Sequence, residues 1–551
     1  LRNGNLTFTT TSAGNSRAVS TIRPSSGKWY CEFYVIDATR FCVGVENTNG
    51  ESSSQGGAST NSVIVFYNRA AYYNSTSTSN YLSAVIANGD VIQVALDLDN
   101  SGVWIGVNGI WDNGATLSQI ELGNVSRSLT SFVGSITPLT GDVGIFLDDN
   151  SGSGPMSATA NFGQKPFKFP PPDGFQTLNT ANVRPSTVIA RPDKYFKTVL
   201  WTGDDSTDRP ITTGFKPDFV WVKSRNQAYS HHFYDSVRGP SKRLLANGTQ
   251  TEVDQTSIDG VSSFNSDGFD VSHTNSDVVN QLNTTYVAWS WKAGGNSNTF
   301  NVNGRGYATA SDAGLTGGTI ALTGASVNTD AGFSILTFTG TGNAGSIPHG
   351  LTQAPDLLIG KNIDRTTEWK IYLPDTGNYL EFTLSAESSV SNAYTGVTSS
   401  LINLQATGYG LNYSTDSRSV IYCWHNVEGL QKFGSYSANN SNDGPYIHLG
   451  FRPSMVIVRS FNGSSGRDWL LWDSSRNTYN GQQTGAFCIN NAGVEGDRSG
   501  TIYNAIDFLS DGFKLRTNGT PNMNADSESY IYMAWAEAPT LNLYGAQANA
   551  R

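Results

Sequence analysis

One stretch recurs three times in this 551-residue chain, and no other feature so narrows what the chain can fold into. It reads Gly214-Phe215-Lys216-Pro217-Asp218-Phe219-Val220-Trp221-Val222-Lys223, then Gly350-Leu351-Thr352-Gln353-Ala354-Pro355-Asp356-Leu357-Leu358-Ile359-Gly360-Lys361, then Gly450-Phe451-Arg452-Pro453-Ser454-Met455-Val456-Ile457-Val458-Arg459. Each copy sets a turn at glycine, a proline that fixes φ ahead of a strand, a buried apolar run, and a cation where the strand exits. Such self-similarity implies one supersecondary unit used more than once. The distance from the motif proline to the aspartate closing the next aromatic strand is 18, 20 and 20 residues (217→235, 355→375, 453→473). Landmarks downstream agree: Phe264 to Phe269, Gly408 to Gly410 and Phe508 to Phe513 as turns, then Tyr286 to Trp289, Tyr422 to Trp424 and Tyr530 to Trp535 as strands.

The copies are 138 and 98 residues apart, and the 40 extra residues fall in the Gly-, Asn- and Thr-rich segment 294–332. That segment is a linker or a small strand pair, such as Gly318 to Thr323, completing a sheet. The expected modules are therefore 193–293, 333–430 and 431–539, followed by a polar tail at 540–551. Residues 177–192 carry Arg184-Pro185 and Arg191-Pro192 without periodicity and read as a stiff connector.

Charged residues are only 15%, and Asn-Gly and Asp-Gly pairs recur (Asn88-Gly89, Asn108-Gly109, Asp267-Gly268, Asn480-Gly481, Asp511-Gly512). These pairs tolerate positive φ in hairpin turns. Long surface helices lack the residues they need, so the expected class is all-β. A net charge of −10 argues against nucleic acid as a partner. No apolar run approaches the ~20 residues of a membrane span, and no signal peptide is visible. Cys31, Cys42, Cys423 and Cys488 each sit in an apolar run and read as buried free thiols, with Cys31 and Cys42 eligible for adjacent strands.

Residues 1–176 form a separate unit. Gly27-Lys28-Trp29-Tyr30-Cys31-Glu32-Phe33 alternates as a half-buried strand, with Phe41-Cys42-Val43-Gly44-Val45 as its expected partner. Gly89 to Asp99, the turn Asn100-Ser101-Gly102 and Val103 to Gly109 make a hairpin. The unit closes on Ala158 to Phe167 and Pro170-Pro171-Pro172-Asp173-Gly174-Phe175. In order and spacing these stretches resemble the SPRY domain, a two-sheet β-sandwich of generally non-catalytic binding modules that recognise partners through loops at one edge. The sandwich ending, the repeats and the Asn542 to Arg551 terminus also resemble modules of marine tailed-phage fibre and appendage proteins. The expected architecture is a SPRY-like sandwich followed by three related β-rich modules in series.

Chemistry-bearing motifs are few. Asp97-Leu98-Asp99-Asn100-Ser101-Gly102 opens like a calcium loop, but Asn108 stands where the bidentate Glu belongs. Asp148-Asp149 and Asp204-Asp205 with Asp208 read as solvated acidic turns; bound calcium is not indicated, and no other cofactor or metal site is expected. The six histidines show no metal-binding spacing, and no nucleophile elbow or phosphate loop is present. Trp29, Trp104, Trp221, Trp289, Trp472 and Trp535 read as core. Tyr72, Tyr73 and Trp111, flanked by Asn and Gly, and Tyr229, His231 and His232 are the candidate ligand-binding residues. The resulting expectation is a non-enzymatic virion structural protein, a tail or capsid fibre. It would assemble as a homo-oligomer (trimer favoured) with other virion proteins and recognise a host-surface glycan or protein. The missing attachment part would precede Leu1. A polysaccharide depolymerase on the same scaffold and a purely structural decoration or tail-attachment protein are the alternatives.

Overall fold

A computed structural model describes residues 6–10, 16–20, 22–47, 62–133, 142–149, 155–179, 182, 188–255, 259–273, 279–374, 377–382, 393–406, 410–413, 417–462, 467–476, 478, 480, 485–496, 506–517 and 522–538. The chain divides into two compact units, 1–186 and 187–551. Both are all-β apart from short helical turns such as Leu117–Glu121 and Leu129–Phe132.

The first unit is a two-sheet sandwich. One sheet runs Thr7–Thr10, Met156–Asn161, Lys28–Asp37, Val91–Asp97, Gly102–Val107, Ile110–Trp111. The other runs Arg17–Val19, Gly144–Asp148, Cys42–Glu46, Ser62–Phe66, Ala71–Tyr73, Thr76–Thr78. Alternation sends Cys31, Phe33 and Val35 from one sheet, and Val43, Val45 and Val63 from the other, into a common core. The hairpin expected around Asn100 forms, pairing Asp97 with Gly102. The expected pairing of Lys28–Phe33 with Phe41–Val45 does not: the two strands lie in opposite sheets, because the turn at Ala38 to Phe41 crosses the sandwich. Cys31 and Cys42 are thereby separated, and all four cysteines are buried free thiols. Lys168 and Phe169 donate backbone N–H bonds to the buried Glu32 carboxylate at 2.9 and 2.8 Å, strapping the closing segment across the outer face of the first sheet. Gln176–Thr177 then pairs with Trp29 and Tyr30, and Leu178 is buried, so the sandwich extends beyond the expected boundary at 176.

The second unit repeats one strand order. Phe196–Thr202, Thr285–Trp291, Phe219–Ser224 and His232–Asp235 are neighbours in the first lobe. Phe333–Thr339, Arg418–Trp424, Leu357–Asn362 and Lys370–Leu373 follow the same order in the second, as do Gln431–Ser437, Ser529–Ala536, Pro453–Ser460 and Leu470–Asp473 in the third. A three-stranded sheet accompanies each one. The 294–332 segment adds Phe300–Val302, Arg305–Tyr307 and Leu322–Asn328 to the second lobe's sheet, while Gly318 to Ala321 stays outside any strand.

Side-chain alternation then makes the three lobes one body. Along each motif strand, Val220 and Val222, Leu358, and Val456 and Val458 point into the lobe's own core against its small sheet. The alternate residues Phe219 and Trp221, Leu357 and Ile359, and Met455 and Ile457 enter a single core shared by all three lobes. Thirty-five buried residues build that core, including Trp289, Trp369, Trp424, Trp469 and Trp535. The lobes follow one another along the chain and close into a ring in space. Across the three seams, Trp369 Nε1 donates to Leu245 O at 2.7 Å, Trp469 Nε1 to Glu381 O at 3.0 Å, and Glu495 N to Arg225 O at 2.8 Å, among other bonds.

The motif's glycines and cation acquire physical reasons. Gly214, Gly350 and Gly450 all sit at positive φ (85°, 73° and 81°), a turn geometry that disfavours any Cβ. The cations do not reach solvent: Lys223 and Lys361 are 0% exposed and Arg459 2%. Lys361 Nζ donates to Thr249 O (3.0 Å) in the preceding lobe, and Lys223 Nζ to Ala492 O (3.3 Å) in the third. Gly268 and Gly512 correct the turn reading. Their φ values are not positive; a Cβ there would come within 2.0 Å of Ile211 O and 2.1 Å of Ile447 O, so close strand approach demands the glycine. Gly481 lies outside the described residues.

Two seams carry buried ion pairs. Arg238 Nε donates to Asp235 Oδ2 at 2.5 Å, and the same oxygen accepts the Tyr422 hydroxyl of the next lobe at 2.7 Å. Arg476 Nε donates to Asp473 Oδ2 at 2.5 Å, and that oxygen accepts Trp289 Nε1 at 3.2 Å. Sheet register corrects the sequence alignment at this point. Tyr372 pairs with Leu358 as Tyr234 pairs with Val220 and Trp472 with Val456, so Leu373, not Asp375, occupies the equivalent position. Asp375 itself lies outside the described residues.

Asp473→Ala leaves the buried Arg476 with only Glu495, 3.5 Å away, and should destabilise the second unit by about 3 kcal/mol, read as a lowered urea midpoint. Gly512→Ala should cost about 1–3 kcal/mol by overpacking against Ile447 O, although its φ suits alanine.

Candidate functional site

Type I′-like hairpins carry the sandwich's candidate aromatics: Asn74 and Ser75 turn at φ 47° and 60° after Tyr72-Tyr73, and Asn108 and Gly109 at 51° and 87° before Trp111. The structure does not bring the three together. Tyr72 packs on Phe66, rings 5.7 Å apart, on the outer face of the second sheet. Tyr73, the next residue, points the other way and packs against the sandwich core. Trp111 lies on the outer face of the first sheet, edge-on to Tyr30 at 6.5 Å. A Cβ on Gly106 would stand 3.0 Å from the Trp111 ring, so glycine there lets the indole lie down on the strand.

Exposed apolar side chains stand on the segments next to Trp111 in sequence, with Ile110 on the strand face opposite it. Ile110 is 67% exposed, and Leu117 and Leu122, at the two ends of the short helix, are 49% and 79% exposed. The helix is set by a capping box: Gln119 N donates to Thr116 Oγ1 at 3.2 Å, and Thr116 N to Gln119 Oε1 at 2.9 Å. Beside it, Asp112 Oδ1 accepts both the N–H and the hydroxyl of Ser83 at 2.7 Å, tying the loop that bears the exposed Val85 to the same edge. Burial raises the Asp112 carboxyl, against the lowering pull of the Ser83 bonds and of Arg69. Ile110, Leu117 and Leu122 are thus large apolar side chains left exposed within one short stretch of sequence. Nothing in the strand pattern singled out Ile110, Leu117 or Leu122; the Thr116-x-x-Gln119 box was the one legible signal.

In the second unit the candidates are scaffold. Tyr229 is half-buried and donates to Gln281 Oε1 at 2.7 Å. His231 is fully buried; Trp221 Nε1 donates to its Nδ1 at 3.0 Å, and its Nε2 lies 3.2 Å from Cys488 O. That arrangement requires a neutral ring protonated at Nε2, and burial, aided by Lys223, holds the pKa well below the ordinary value. His232 is buried within its strand and is likewise depressed, first by burial and then by Arg243. The acids are also committed. Asp97 holds Asn100 N at 3.1 Å and Asp99 holds Gly27 N at 2.8 Å. Asp148 and Asp149 are buried rather than solvated, with Asp149 Oδ1 accepting Ser16 N at 3.0 Å. Among the described residues no group of three His, Cys, Asp or Glu side chains could hold a metal ion. No helix among them is long and apolar enough to cross a membrane.

A family model described as a domain of unknown function, DUF7483, matches residues 191–539. The chain belongs to this family. The DUF7483 match thus spans the three-lobed ring. No curated protein matches the chain. Its structural neighbours include the SPRY domain of human HERC1, at 18% identity and TM-score 0.23 over 30% of this chain and 94% of that one. A second human SPRY domain gives 15% identity and TM-score 0.21 over 30% and 96%.

Buried neutral histidines in the DUF7483 ring set a pH dependence. His231 and His232 are depressed well below 6.5, and His349 to about 4, in each case chiefly by burial. The unfolded chain takes up these protons first, so stability should fall as pH drops from about 6.5 towards 4. Urea midpoints measured from pH 8 to 5 should show this decline, with a shallower slope in His231→Gln.

Proposed function

We propose that the chain is a virion structural protein, a tail or capsid appendage of a tailed phage, that contacts a host-surface partner through the sandwich. The exposed side chains of Ile110, Leu117 and Leu122, on the edge segment that also carries the half-buried Trp111, support this reading. Exposed aliphatic side chains gain little from sugar hydroxyls and much from another apolar surface, so this edge favours a proteinaceous partner over a glycan. The low charge content and the absence of any legible nucleophile or paired catalytic motif support binding rather than turnover. The reading keeps a homo-oligomer, trimer favoured, as the assembled state, because weak contacts to a repeated surface add up through multivalency.

Purified full-length chain should adsorb to candidate host cells, and Leu122→Glu combined with Trp111→Ala should reduce adsorption by about tenfold or more, in line with loss of a central anchor. Unchanged adsorption by the folded double variant would refute the edge as the contact. Release of reducing sugar from host polysaccharide would favour a depolymerase instead.

A further inference from the structure

Two of the ring's seams are built alike among the described residues, which makes a difference between them informative. Arg225, Ile363 and Phe461 each donate a backbone bond to the first residue of the adjoining central strand or the residue just before its alternating core run: Thr285 O at 2.7 Å, Arg418 O at 2.9 Å and Ser529 O at 3.1 Å. The next residue in each case returns the bond, with Asn226 Oδ1 accepting Thr285 N (2.9 Å), Asp364 Oδ2 accepting Arg418 N (2.7 Å) and Asn462 Oδ1 accepting Ser529 N (2.6 Å). Across two seams a glutamate docks identically, Glu495 N on Arg225 O and Glu252 N on Ile363 O, both at 2.8 Å. At the seam of the first and second lobes the Arg418 guanidinium spans the gap, 2.7 Å from Asp364 and 3.6 Å from Glu252. At the seam of the third and first lobes the equivalent residue is Thr285, whose side chain is too short to do so. A cleft of about 490 Å³ opens there, lined by Arg225, Asn226, Thr285, Gly485, Val494 and Glu495.

We infer that this cleft is a saccharide-binding subsite. Its volume falls within the roughly 300–1,000 Å³ of small-molecule sites, yet its lining is mostly polar, which disfavours an apolar ligand. Arg225 and Glu495 form an ion pair at 2.5 Å and are 28% and 17% exposed, with Arg476, itself paired to Asp473, 3.5 Å behind Glu495, so the cleft offers a donor and an acceptor of opposite charge side by side. Sugar hydroxyls, each able to donate and accept, match that pair, and Asn226 and Thr285 extend the polar rim. An anionic ligand would face Glu495 and a cationic one Arg225, so a neutral ligand rich in hydroxyls, a sugar, suits the pair better than either. Host recognition through a glycan by this unit rests on the appendage reading above, but the binding itself does not.

The test titrates the full chain with neutral tetrasaccharides of glucose, galactose and mannose at millimolar concentration, followed by saturation-transfer NMR and calorimetry. At least one should bind to the wild type. Thr285→Arg, which places at this seam the residue the fold already accommodates at position 418, should weaken binding by about tenfold or more, or 1.4 kcal/mol, with an unchanged melting transition. Arg418→Thr, at the other seam, should leave affinity unaltered. No binding by any of the three sugars, or binding that Thr285→Arg leaves intact, overturns the assignment. Adsorption to host cells, measured in parallel, decides the appendage reading separately, since it can persist when the sugars fail.

Discussion

The larger unit depends on a two-residue periodicity read on both faces of the same strands. In Phe219–Ser224, Leu357–Asn362 and Pro453–Ser460 no residue is spent on solvent: odd positions enter the shared aromatic core and even positions the lobe's own core. A strand apolar on both faces must be covered twice. The small three-stranded sheets cover one face, and the other lobes cover the second. The aromatic contacts show how closely the lobes interlock: Phe219 lies 4.5 Å from Tyr422, and Phe196 5.9 Å from Trp535, centroid to centroid. No lobe could expose its half of this core to water without losing most of what holds it together.

The two carboxylate–guanidinium pairs at the seams of this core come as matched sets. Asp235 with Arg238 meets the Tyr422 hydroxyl, and Asp473 with Arg476 meets the Trp289 indole. Where Leu373 replaces the aspartate, Met533 stands in the position of Tyr422 and Trp289, and neither needs a partner. Charge, counter-charge and neighbouring donor are present together or absent together, as the desolvation cost of an incomplete set requires. The same logic governs Lys223 and Lys361, whose ammonium groups end on backbone carbonyls across the seam.

Much of this frame was legible because it is written in backbone requirements. The Gly-Pro opening, the alternating run and the aromatic strand that follows predicted strands at the positions where they occur. The lobes' mutual packing was not legible, since a strand buried on both faces looks the same whether its second cover is a loop, a partner chain or another lobe. The histidines misled for a related reason. His231-His232 follows a loop-like Tyr-Ser pair, yet it begins a buried strand and serves the Trp221 and Cys488 bonds. In the sandwich, the Asn and Gly residues flanking Tyr72, Tyr73 and Trp111 suggested loops, but the aromatics lie in short strands beside the turns those residues make. The flanking residues could not say that adjacent residues face opposite ways or that the two hairpins belong to opposite sheets.

The ring is closed by contact between its first strand and its last. Phe196 meets Trp535, 339 positions further along (535 − 196). During synthesis the first lobe therefore emerges with half of its apolar surface uncovered, and it waits for the end of the chain before that surface can be buried. Loop closure over such a distance is slow, and exposed strands in the interval invite association with other nascent chains. Truncation anywhere before Trp535 removes a wall of the core that every lobe shares.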